Sequence, residues 1–431
     1  MNPSSLAAHA LELIELLQDD QRPADQLIDT FFRRRRYLGS HDRRELAESV
    51  YGVLRHRRLL ETIVARIRPS VATAPVWLFA AYKLHVEKST LEQLRSFSLS
   101  ISASDLETLA AQNFSEVVGT SVGIRLSFPD WLVTALHQQM GEAESERLLE
   151  ALNQPPPLTI RVNTLKTTRD DCRDALQQRG FESAPAKFSP DGLHLAKRTN
   201  LFALDLFRDG WFEVQDEGSQ IISLLLDPKP RWRVADVCAG GGGKTLHLAA
   251  LMKNRGEIFA FDVVPQRLEN LQKRARRSGI HNIRTQLIQP DEVPAQYFEM
   301  MDAILIDAPC SGTGVFRRNP DAKWKISEEM IQQMVEKQKR ILNQYAPLLK
   351  PGGRLVYATC SLLAEENEQV VESFLQQNSN FKLADAGMLL QRYKLSTLAD
   401  GGCVHLFPHT HGCDGFFAAL LERNDNSLAA Q

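Results

Sequence analysis

Apolar residues in the first 120 positions recur at the three- and four-residue spacing of amphipathic helices. The two clearest sets are Leu6, Ala10, Leu13 and Leu17, and Leu46, Val50, Val53, Leu54 and Leu60. Pro69 and Pro75 interrupt the pattern, because proline lacks the backbone N–H that a helix interior requires. The pattern therefore predicts a bundle of short helices. Further along, Asn153-Gln154-Pro155-Pro156-Pro157 is the clearest linker, since consecutive prolines cannot continue a helix.

Beyond residue 230, short apolar runs alternate with segments of helical periodicity. The apolar runs predict strands at Val234–Cys238, Ile258–Val263, Ile283–Ile288, Ala303–Ile306 and Leu355–Ala358. Helices are predicted at Lys244–Asn254, Pro265–Ser278 and Ser327–Leu349, and from Ser361 to about Gln376. This order is typical of a mainly parallel sheet with helices on both faces. Because ligands of such sheets bind beyond the carboxyl ends of the strands, the residues after each strand are the candidates for chemistry.

Composition limits the class of protein. The chain has 431 residues, with 51 Lys and Arg against 53 Asp and Glu, which excludes a uniformly basic nucleic-acid coat. It has no apolar run approaching the roughly 18 residues of a membrane span, and its N-terminus lacks a signal-peptide pattern. Six cysteines are too few for a disulfide framework. We therefore expect a cytoplasmic, multidomain protein without a membrane partner.

The first predicted strand runs into Cys238-Ala239-Gly240-Gly241-Gly242-Gly243-Lys244-Thr245. Glycines at a strand-to-helix turn allow a ligand to approach backbone N–H groups closely. Its last three residues, Gly243-Lys244-Thr245, resemble the end of a P-loop, but a P-loop needs glycine where this chain has Cys238. An NTPase and a purely structural turn are the alternatives. The segment favours a nucleotide-like cofactor.

Carboxylates follow the next strands. Asp262 lies about twenty residues after the glycine loop, where an acid typically accepts hydrogen bonds from ribose hydroxyls. Its alternative role is that of a helix cap. Asp291 follows the third strand and is either a second ligand contact or a turn residue after Pro290.

Two cysteines follow the last two predicted strands, in Asp307-Ala308-Pro309-Cys310-Ser311-Gly312 and in Thr359-Cys360-Ser361. Each lies just beyond a strand end, so both should face one cleft. A lone cysteine there is more often a small buried apolar residue. A disulfide is disfavoured in a reducing compartment, and two thiols without histidine fall short of a zinc site. The pair predicts thiol chemistry.

The segment Cys403-Val404-His405-Leu406-Phe407-Pro408-His409-Thr410-His411-Gly412-Cys413 concentrates five potential metal ligands. Its spacing matches no standard zinc finger, and His405 and Phe407 alternate as they would in a strand. We interpret it as a loop between the final strands and predict no metal.

Taken together, these motifs resemble the Sun/Fmu-type family of RNA cytosine-5 methyltransferases. The similarity extends over most of the chain from about residue 155. The segments that carry it are Arg161-Val162-Asn163-Thr164-Leu165, the glycine loop, Asp307–Gly312, Arg318-Asn319-Pro320-Asp321 with Lys323-Trp324, Thr359-Cys360-Ser361 and His411-Gly412-Cys413-Asp414-Gly415-Phe416-Phe417. More weakly, Leu38–Arg44 and Tyr51–Arg55 resemble an all-α NusB-like RNA-binding domain.

The resemblance implies a multidomain fold. An all-α NusB-like domain would occupy residues 1–122, and a linker helix with a small α+β RNA-binding subdomain would occupy 123–230. An α/β Rossmann-like methyltransferase domain, its last strand antiparallel, would occupy 231–424, and 425–431 would form a flexible tail.

The resemblance also implies a cofactor, S-adenosyl-L-methionine. Cys238–Lys244 would hold it, with Asp262 on the ribose, Asp291 near the adenine and Asp307 beside the methionine end. The family usually has Ala-Pro where this chain has Gly240-Gly241, and Gly-Asp where it has Pro290-Asp291.

By the same resemblance, Cys360 is the nucleophile and Cys310 assists release of the product. The implied reaction is methylation of a cytosine in RNA, with small-subunit ribosomal RNA expected and transfer RNA still open, by a monomer. The alternative is a non-catalytic RNA-binding assembly factor that retains the fold.

The RNA contacts expected within the family motifs are Arg161, Asn163 and Lys323. The N-terminal segment adds others, since residues 22–68 contain 12 Arg, no Lys and six acidic residues. Arginine suits bidentate phosphate contacts, so Arg34, Arg36 and Arg44 are expected to bind RNA. The alternative is a solvated helix face paired with local acids.

Overall fold

The computed structural model describes residues 1–113, 116–117, 119–197, 199–290, 292 and 294–425. The chain divides into two compact units, Met1–Pro155 with Phe316–Ser327, and Pro156–Val315 with Glu328–Gln431. This division differs from the boundaries expected at 122 and 230, because the helices up to Leu152 belong to the first unit. Most of the expected tail, residues 426–431, lies outside the described residues.

The first unit is helical, as the apolar periodicity predicts. The residues of both apolar sets are buried, for example Leu13 and Leu46, each at 0% exposure. Asn2 caps the first helix by accepting from the Ser5 N–H, and Pro69 starts a short 3-10 turn. The helices are α1 (Pro3–Asp19), α2 (Ala24–Arg34), α3 (Ser40–Arg55), α4 (Arg57–Ala65), α5 (Pro75–Ala81), α6 (Leu91–Ser96), α7 (Ala103–Ala110), α8 (Val122–Arg125), α9 (Asp130–Met140) and α10 (Glu142–Leu152).

The second unit begins with a small antiparallel sheet of order β2-β3-β1-β4. Its core includes Ile160, Leu193 and Phe212, each fully buried. The α+β subdomain implied by the resemblance therefore lies within this unit. Its elements are β1 (Leu158–Val162), α11 (Arg169–Gln178), β2 (Ser183–Pro185), β3 (Gly192–Leu195), α12 (Asp205–Arg208) and β4 (Phe212–Val214).

The rest of the second unit is built on a nine-stranded sheet of order β11-β12-β13-β9-β8-β5-β6-β7, with β10 paired to β13. Strands β5 to β9 are mutually parallel, and β13 is antiparallel to β9, as expected. The strands are β5 (Arg233–Val237), β6 (Glu257–Asp262), β7 (Ile283–Leu287), β8 (Met301–Asp307), β9 (Leu349–Thr359), β10 (Phe381–Leu383), β11 (Ala399–Asp400), β12 (Cys403–Leu406) and β13 (Phe416–Arg423).

Successive side chains of these strands enter two different cores, as a sheet covered on both faces requires. Val234 packs into the core formed with α13, α14 and α15, whereas Ala235 packs into the core formed with α16 and α17. The helices are α13 (Glu217–Leu226), α14 (Gly243–Leu251), α15 (Pro265–Ser278), α16 (Glu328–Tyr345), α17 (Glu368–Gln377), α18 (Ala386–Leu390) and α19 (Pro408–His411).

Two sequence-based predictions need correction. Cys403–Leu406 is a strand rather than part of a loop, because it pairs with β13 and so satisfies its backbone in the sheet. The helix expected to reach Leu349 ends at Tyr345 and is followed by a 3-10 turn at Ala346–Leu348. Across the described ranges, no helix is both long enough and apolar enough to cross a bilayer.

Candidate active site

The two cysteines that follow β8 and β9 lie side by side. These strands are parallel neighbours, with Asp307 opposite Ala358 at their carboxyl ends. The loops that continue from them bring Cys310 Sγ to 3.3 Å from Cys360 Sγ. Both residues are partly accessible, and the described structure contains no disulfide, so the pair is present as two thiols.

Backbone hydrogen bonds fix the Cys360 loop. The Gly314 N–H donates to the Cys360 carbonyl at 2.9 Å, and the Gly415 N–H donates to the Gly314 carbonyl, also at 2.9 Å. A Cβ atom added at Gly314 would lie 2.2 Å from the Gly415 carbonyl oxygen. Glycine is therefore required at 314 for this close approach of three chain segments.

A cation and a carboxylate lie beside the thiols. Lys244 Nζ donates to Asp307 Oδ2 at 2.7 Å. Burial lowers the pKa of Lys244, but the charge of Asp307, its hydrogen bond and the nearby charges of Cys360 and Asp236 together outweigh burial and leave that pKa above its ordinary value. The hydrogen bond to Cys360, followed by burial, raises the pKa of Cys310 well above its usual range. The site therefore holds a protonated lysine and a thiol that resists ionisation.

The glycine loop lies between β5 and α14, as predicted. Gly240 adopts φ +57°, a left-handed conformation that favours glycine, and its N–H donates to Asp262 Oδ2 at 2.8 Å. The Asp262 carboxylate also accepts from the Val264 N–H at 2.8 Å, so it ties the loop to the end of β6. Asp262 thus has a local structural role, which resembles the cap considered from sequence.

Two arginines donate hydrogen bonds to carbonyl oxygens of the glycine loop. Arg274 Nη1 donates to the Gly241 carbonyl at 2.5 Å, and Arg161 Nη1 donates to the Gly243 carbonyl at 2.7 Å. Arg274 also pairs with the buried carboxylate of Glu213 at 3.0 Å. These arginines restrain the consecutive glycines, which have little conformational preference of their own.

Two of the expected RNA contacts are buried. Arg161 is only 2% exposed and also donates to Gln215, and its burial lowers its pKa to about 10. Asn163 is 4% exposed and donates to the carbonyl oxygens of Gly210 and Ser278 at 2.8 and 3.0 Å. Neither position fits a direct RNA contact, because both side chains are used to join segments of the protein.

Lys323 also does not fit its expected role. It is 0% exposed within the first unit, and its Nζ donates to Asn153 Oδ1 at 2.6 Å and to the Arg55 carbonyl at 3.2 Å. The amine lies 3.6 Å from the Phe128 ring centroid. Burial, and then the charge of Arg55, lowers the pKa of Lys323 well below its ordinary value. Its partners make it a packing residue of the helical unit.

The other expected RNA contacts lie at the surface, and the expected adenine contact lies outside the described residues. Arg34, Arg36 and Arg44 are exposed, and a loose ion pair at 3.9 Å joins Arg44 to Glu48. Asp291 lies outside the described residues. In the described portion of the chain, no group of three or more His, Cys, Asp or Glu side chains is arranged to hold a metal ion.

A cavity of about 370 Å³ opens beside the glycine loop, within the usual size range of small-molecule sites. Asp262 supplies its carboxylate, and Val263 forms an apolar wall although it is 46% exposed. An exposed apolar wall next to a carboxylate suits a ligand that combines a flat aromatic ring with hydroxyl groups. The lining residues are Val237, Cys238, Asp262, Val263, Arg267, Ile288, Pro290, Pro309, Lys337, Arg340, Ile341, Gln344 and Tyr345.

Two buried acids of the site were not identified from sequence. Asp236 lies on β5 and accepts from Thr245 Oγ1 at 2.5 Å, and burial raises its pKa to about 7. Glu366 is 0% exposed and contacts the loops of both cysteines. The sequence signal for Glu366 was ambiguous, since Glu365-Glu366-Asn367-Glu368 has the composition of a solvated helix start.

Comparisons with known proteins agree with this arrangement. The family model described as 16S rRNA methyltransferase RsmB/F matches residues 223–422. A second model, the ferredoxin-like domain of RsmF/B-like methyltransferases, matches residues 128–201.

Similar proteins match between 70% and 98% of the chain. A probable ribosomal RNA small subunit methyltransferase B from Synechocystis is 33% identical over 90% of this chain and 92% of its own length. A protein of the same description from Bacillus subtilis is 28% identical over 98% of this chain and 100% of its length. A solved methyltransferase homologue from Pyrococcus horikoshii has a TM-score of 0.60 and 31% identity over 70% of this chain and 97% of its own. This chain therefore belongs to the Sun/Fmu family of S-adenosyl-L-methionine-dependent RNA methyltransferases, which the RsmB/F model describes.

Proposed function

We propose that this enzyme methylates carbon 5 of a cytosine in small-subunit ribosomal RNA through a covalent cysteine adduct. The observation that carries the proposal is the pair of thiols 3.3 Å apart, next to the ion pair of Lys244 and Asp307. The names of the similar proteins indicate small-subunit ribosomal RNA as the substrate. A methyl transfer to an oxygen or a nitrogen would need no such thiol pair.

The chemistry of cytosine explains the need for a thiol. Carbon 5 is too weak a nucleophile to accept a methyl group directly. The Cys360 thiolate adds to carbon 6 and forms a carbon–sulfur bond, which makes carbon 5 nucleophilic. The cofactor, when bound, would supply an electrophilic methyl group on a sulfonium, which would bond to carbon 5 while the sulfur leaves as a neutral thioether. A base then removes the proton from carbon 5 and the carbon–sulfur bond breaks, which restores the ring and the thiolate.

The division of roles between the thiols follows the family resemblance, and the electrostatics support it. Cys360 is assigned as the nucleophile, and its charge and that of Lys244 are mutually favourable. Cys310 is assigned to the release step, which suits its distance of 3.3 Å from Cys360. The target base must leave its stack to reach both groups.

The residues beside the cavity suit the cofactor. Cys238–Lys244 form the turn, Asp262 offers carboxylate oxygens for the ribose hydroxyls, and Val263 offers an apolar surface for the adenine. Gly240 leaves open space, since an added Cβ atom would meet nothing nearer than 3.9 Å. Asp307, held by Lys244, is assigned to the methionine end, and Asp291 is assigned to the adenine from the resemblance alone.

The first unit is proposed to be a NusB-like RNA-binding domain that contributes affinity without reading sequence. Its helical architecture and its exposed arginines Arg34, Arg36 and Arg44 support this role. Phosphate contacts position a protein on nucleic acid, whereas contacts to the base determine specificity. The catalytic unit would then select the cytosine.

The direct test uses the purified protein with small-subunit ribosomal RNA, naked or in particles, and cofactor carrying a tritiated methyl group. We expect 5-methylcytidine in the nuclease digest, identified by mass spectrometry, and its position is located by bisulfite sequencing. Transfer RNA is the control substrate. Methylation of another base or atom would overturn the proposal, and RNA binding without any methylation would favour a non-catalytic assembly factor.

Replacing Asp262 by alanine should weaken cofactor binding at least tenfold. The variant loses the proposed ribose acceptor, and a hydrogen bond to a charged group contributes about 1.5–3 kcal/mol. It also loses the acceptor of the Gly240 N–H, so the glycine loop becomes less restrained. Calorimetry with the cofactor measures the effect, and Glu269→Gln, an exposed change on α15, is the control. Unchanged affinity would leave Asp262 with its capping role alone.

Replacing Arg34, Arg36 and Arg44 together by glutamine should lower RNA affinity and flatten its salt dependence. The logarithmic salt slope should fall by roughly one for each lost phosphate contact. Cofactor affinity should not change. A matched triple variant replaces Arg33, Arg68 and Arg95, which pair with Asp29, Asp105 and Glu107 at 2.6 to 3.1 Å. If the two triple variants lowered RNA affinity equally, the segment would contribute only its net charge and not specific contacts of Arg34, Arg36 and Arg44.

A further inference from the structure

A buried carboxylate lies behind the two thiols. Glu366 follows β9 and is 0% exposed, whereas its neighbour Glu365 is at the surface. Burying a carboxylate is unfavourable unless hydrogen bonds replace its water. The hydrogen-bond donors around Glu366 therefore show which parts of the chain its buried carboxylate holds together.

Those contacts connect the residues directly after each cysteine. Glu366 Oε1 accepts from the Ser311 N–H at 2.8 Å and from Gln338 Nε2 at 2.9 Å. Its Oε2 accepts from Ser311 Oγ and from Ser361 Oγ, each at 2.5 Å. One side chain thus joins the Cys310 loop to the Cys360 loop, and Gln338 adds a link from α16.

Further hydrogen bonds hold the backbone of Glu366 and the side chain of Ser361 in position. The Tyr357 hydroxyl, on β9, donates to the Glu366 carbonyl at 2.7 Å. Ser361 Oγ lies 3.2 Å from Thr313 Oγ1, which accepts from the Leu362 N–H at 2.8 Å. The network is fully buried at Ser361 and Thr313, so a change in the length of the acid would move both loops.

The charge of Glu366 disfavours ionisation of Cys310. After the hydrogen bond to Cys360 and burial, the negative charges of Cys360 and Glu366 also raise the pKa of Cys310. Lys244, in contrast, interacts favourably with the charge of Cys360. Two thiols at 3.3 Å do not both ionise readily.

We propose that Glu366 is a positioning residue that holds the loops of Cys310 and Cys360 together in the geometry that the reaction needs. The proposal deepens the proposed function, on which its catalytic meaning rests. The side chain has two roles. The length of Glu366 sets the distance between the thiols, and its charge keeps the proton on Cys310.

Alkylation of the full-length protein without RNA or cofactor tests the charge. Iodoacetamide is applied between pH 6 and 10, and modification of each cysteine is followed by peptide mass spectrometry. In the wild type, Cys310 should be alkylated only toward the upper end of this pH range. In Glu366→Gln the midpoint of Cys310 should fall by about one pH unit or more, since a like charge has been removed. The control, Glu365→Gln, should retain the wild-type profile.

A shorter acid tests the position. Glu366→Asp keeps the charge, so the alkylation midpoint of Cys310 should stay close to that of the wild type. The shorter side chain cannot reach both serines, so it should no longer hold the two loops together. The rate of Cys310–Cys360 disulfide formation on treatment with diamide should fall at least tenfold, and methylation should fall with it. Wild-type alkylation midpoints in Glu366→Gln, or wild-type diamide rates in Glu366→Asp, would overturn the proposal. The alkylation and diamide measurements use neither RNA nor cofactor, so their failure is distinguishable from failure of the proposed RNA methylation.

Discussion

Cys360→Ala should abolish methyl transfer, with a loss of roughly 10⁴-fold or more, as expected when a covalent nucleophile is removed. Without the thiolate, carbon 6 of cytosine gains no sulfur bond and carbon 5 remains unreactive. The change removes a partly accessible side chain, so folding and cofactor binding should be retained. Transfer of a tritiated methyl group to RNA measures the loss.

Cys403→Ala is the matched control for this experiment. Cys403 is also a partly buried free thiol of the large sheet, but it lies on β12 rather than at the end of β9. Its loss should leave turnover close to that of the wild type. Substantial activity in Cys360→Ala would contradict the assigned nucleophile.

Cys310→Ala should give the opposite behaviour, a stable covalent complex with RNA. Cys360 can still add to carbon 6 and carbon 5 can still be methylated, but the release step lacks its assisting thiol. Turnover should stop after about one equivalent. A denaturing gel should then show a protein band shifted by the mass of the RNA, which nuclease treatment removes.

The double variant, in which Cys310 and Cys360 are both alanine, identifies the atom that carries the adduct. It should form no complex with RNA. If Cys360→Ala accumulated the complex and Cys310→Ala did not, the two roles would be exchanged. The distance of 3.3 Å between the thiols permits either order, so this experiment is decisive.

Much of the fold could be predicted because its signals are local. The helix expected over Pro265–Ser278 has those bounds in the structure, since Pro265 suits its first turn and Gly279 adopts the left-handed conformation that ends it. The parallel strands β5 to β9 were expected from short apolar runs, and each prediction overlaps the observed strand. Strand order also placed Cys310 and Cys360 on one edge of the sheet.

The surroundings of cations could not be predicted from the motifs that contain them. Lys323 and Arg161 were expected from the family motifs to contact RNA, and both are buried. Their partners are distant in sequence, since Lys323 donates to Asn153, 170 residues away, and Arg161 to Gly243, 82 residues away. A local sequence pattern does not show whether a cationic side chain faces water or a carbonyl group that is distant in sequence.

The sequence by itself determined the alternation of strands and helices, the glycine turn and the positions of both cysteines, because periodicity and turn chemistry act over a few residues. Only the tertiary structure decided that the thiols are in contact and that Glu366 joins their loops across 55 residues of sequence. The reason is physical. The effect of a buried charge depends on which groups surround it in space, and chain folding alone brings those groups together.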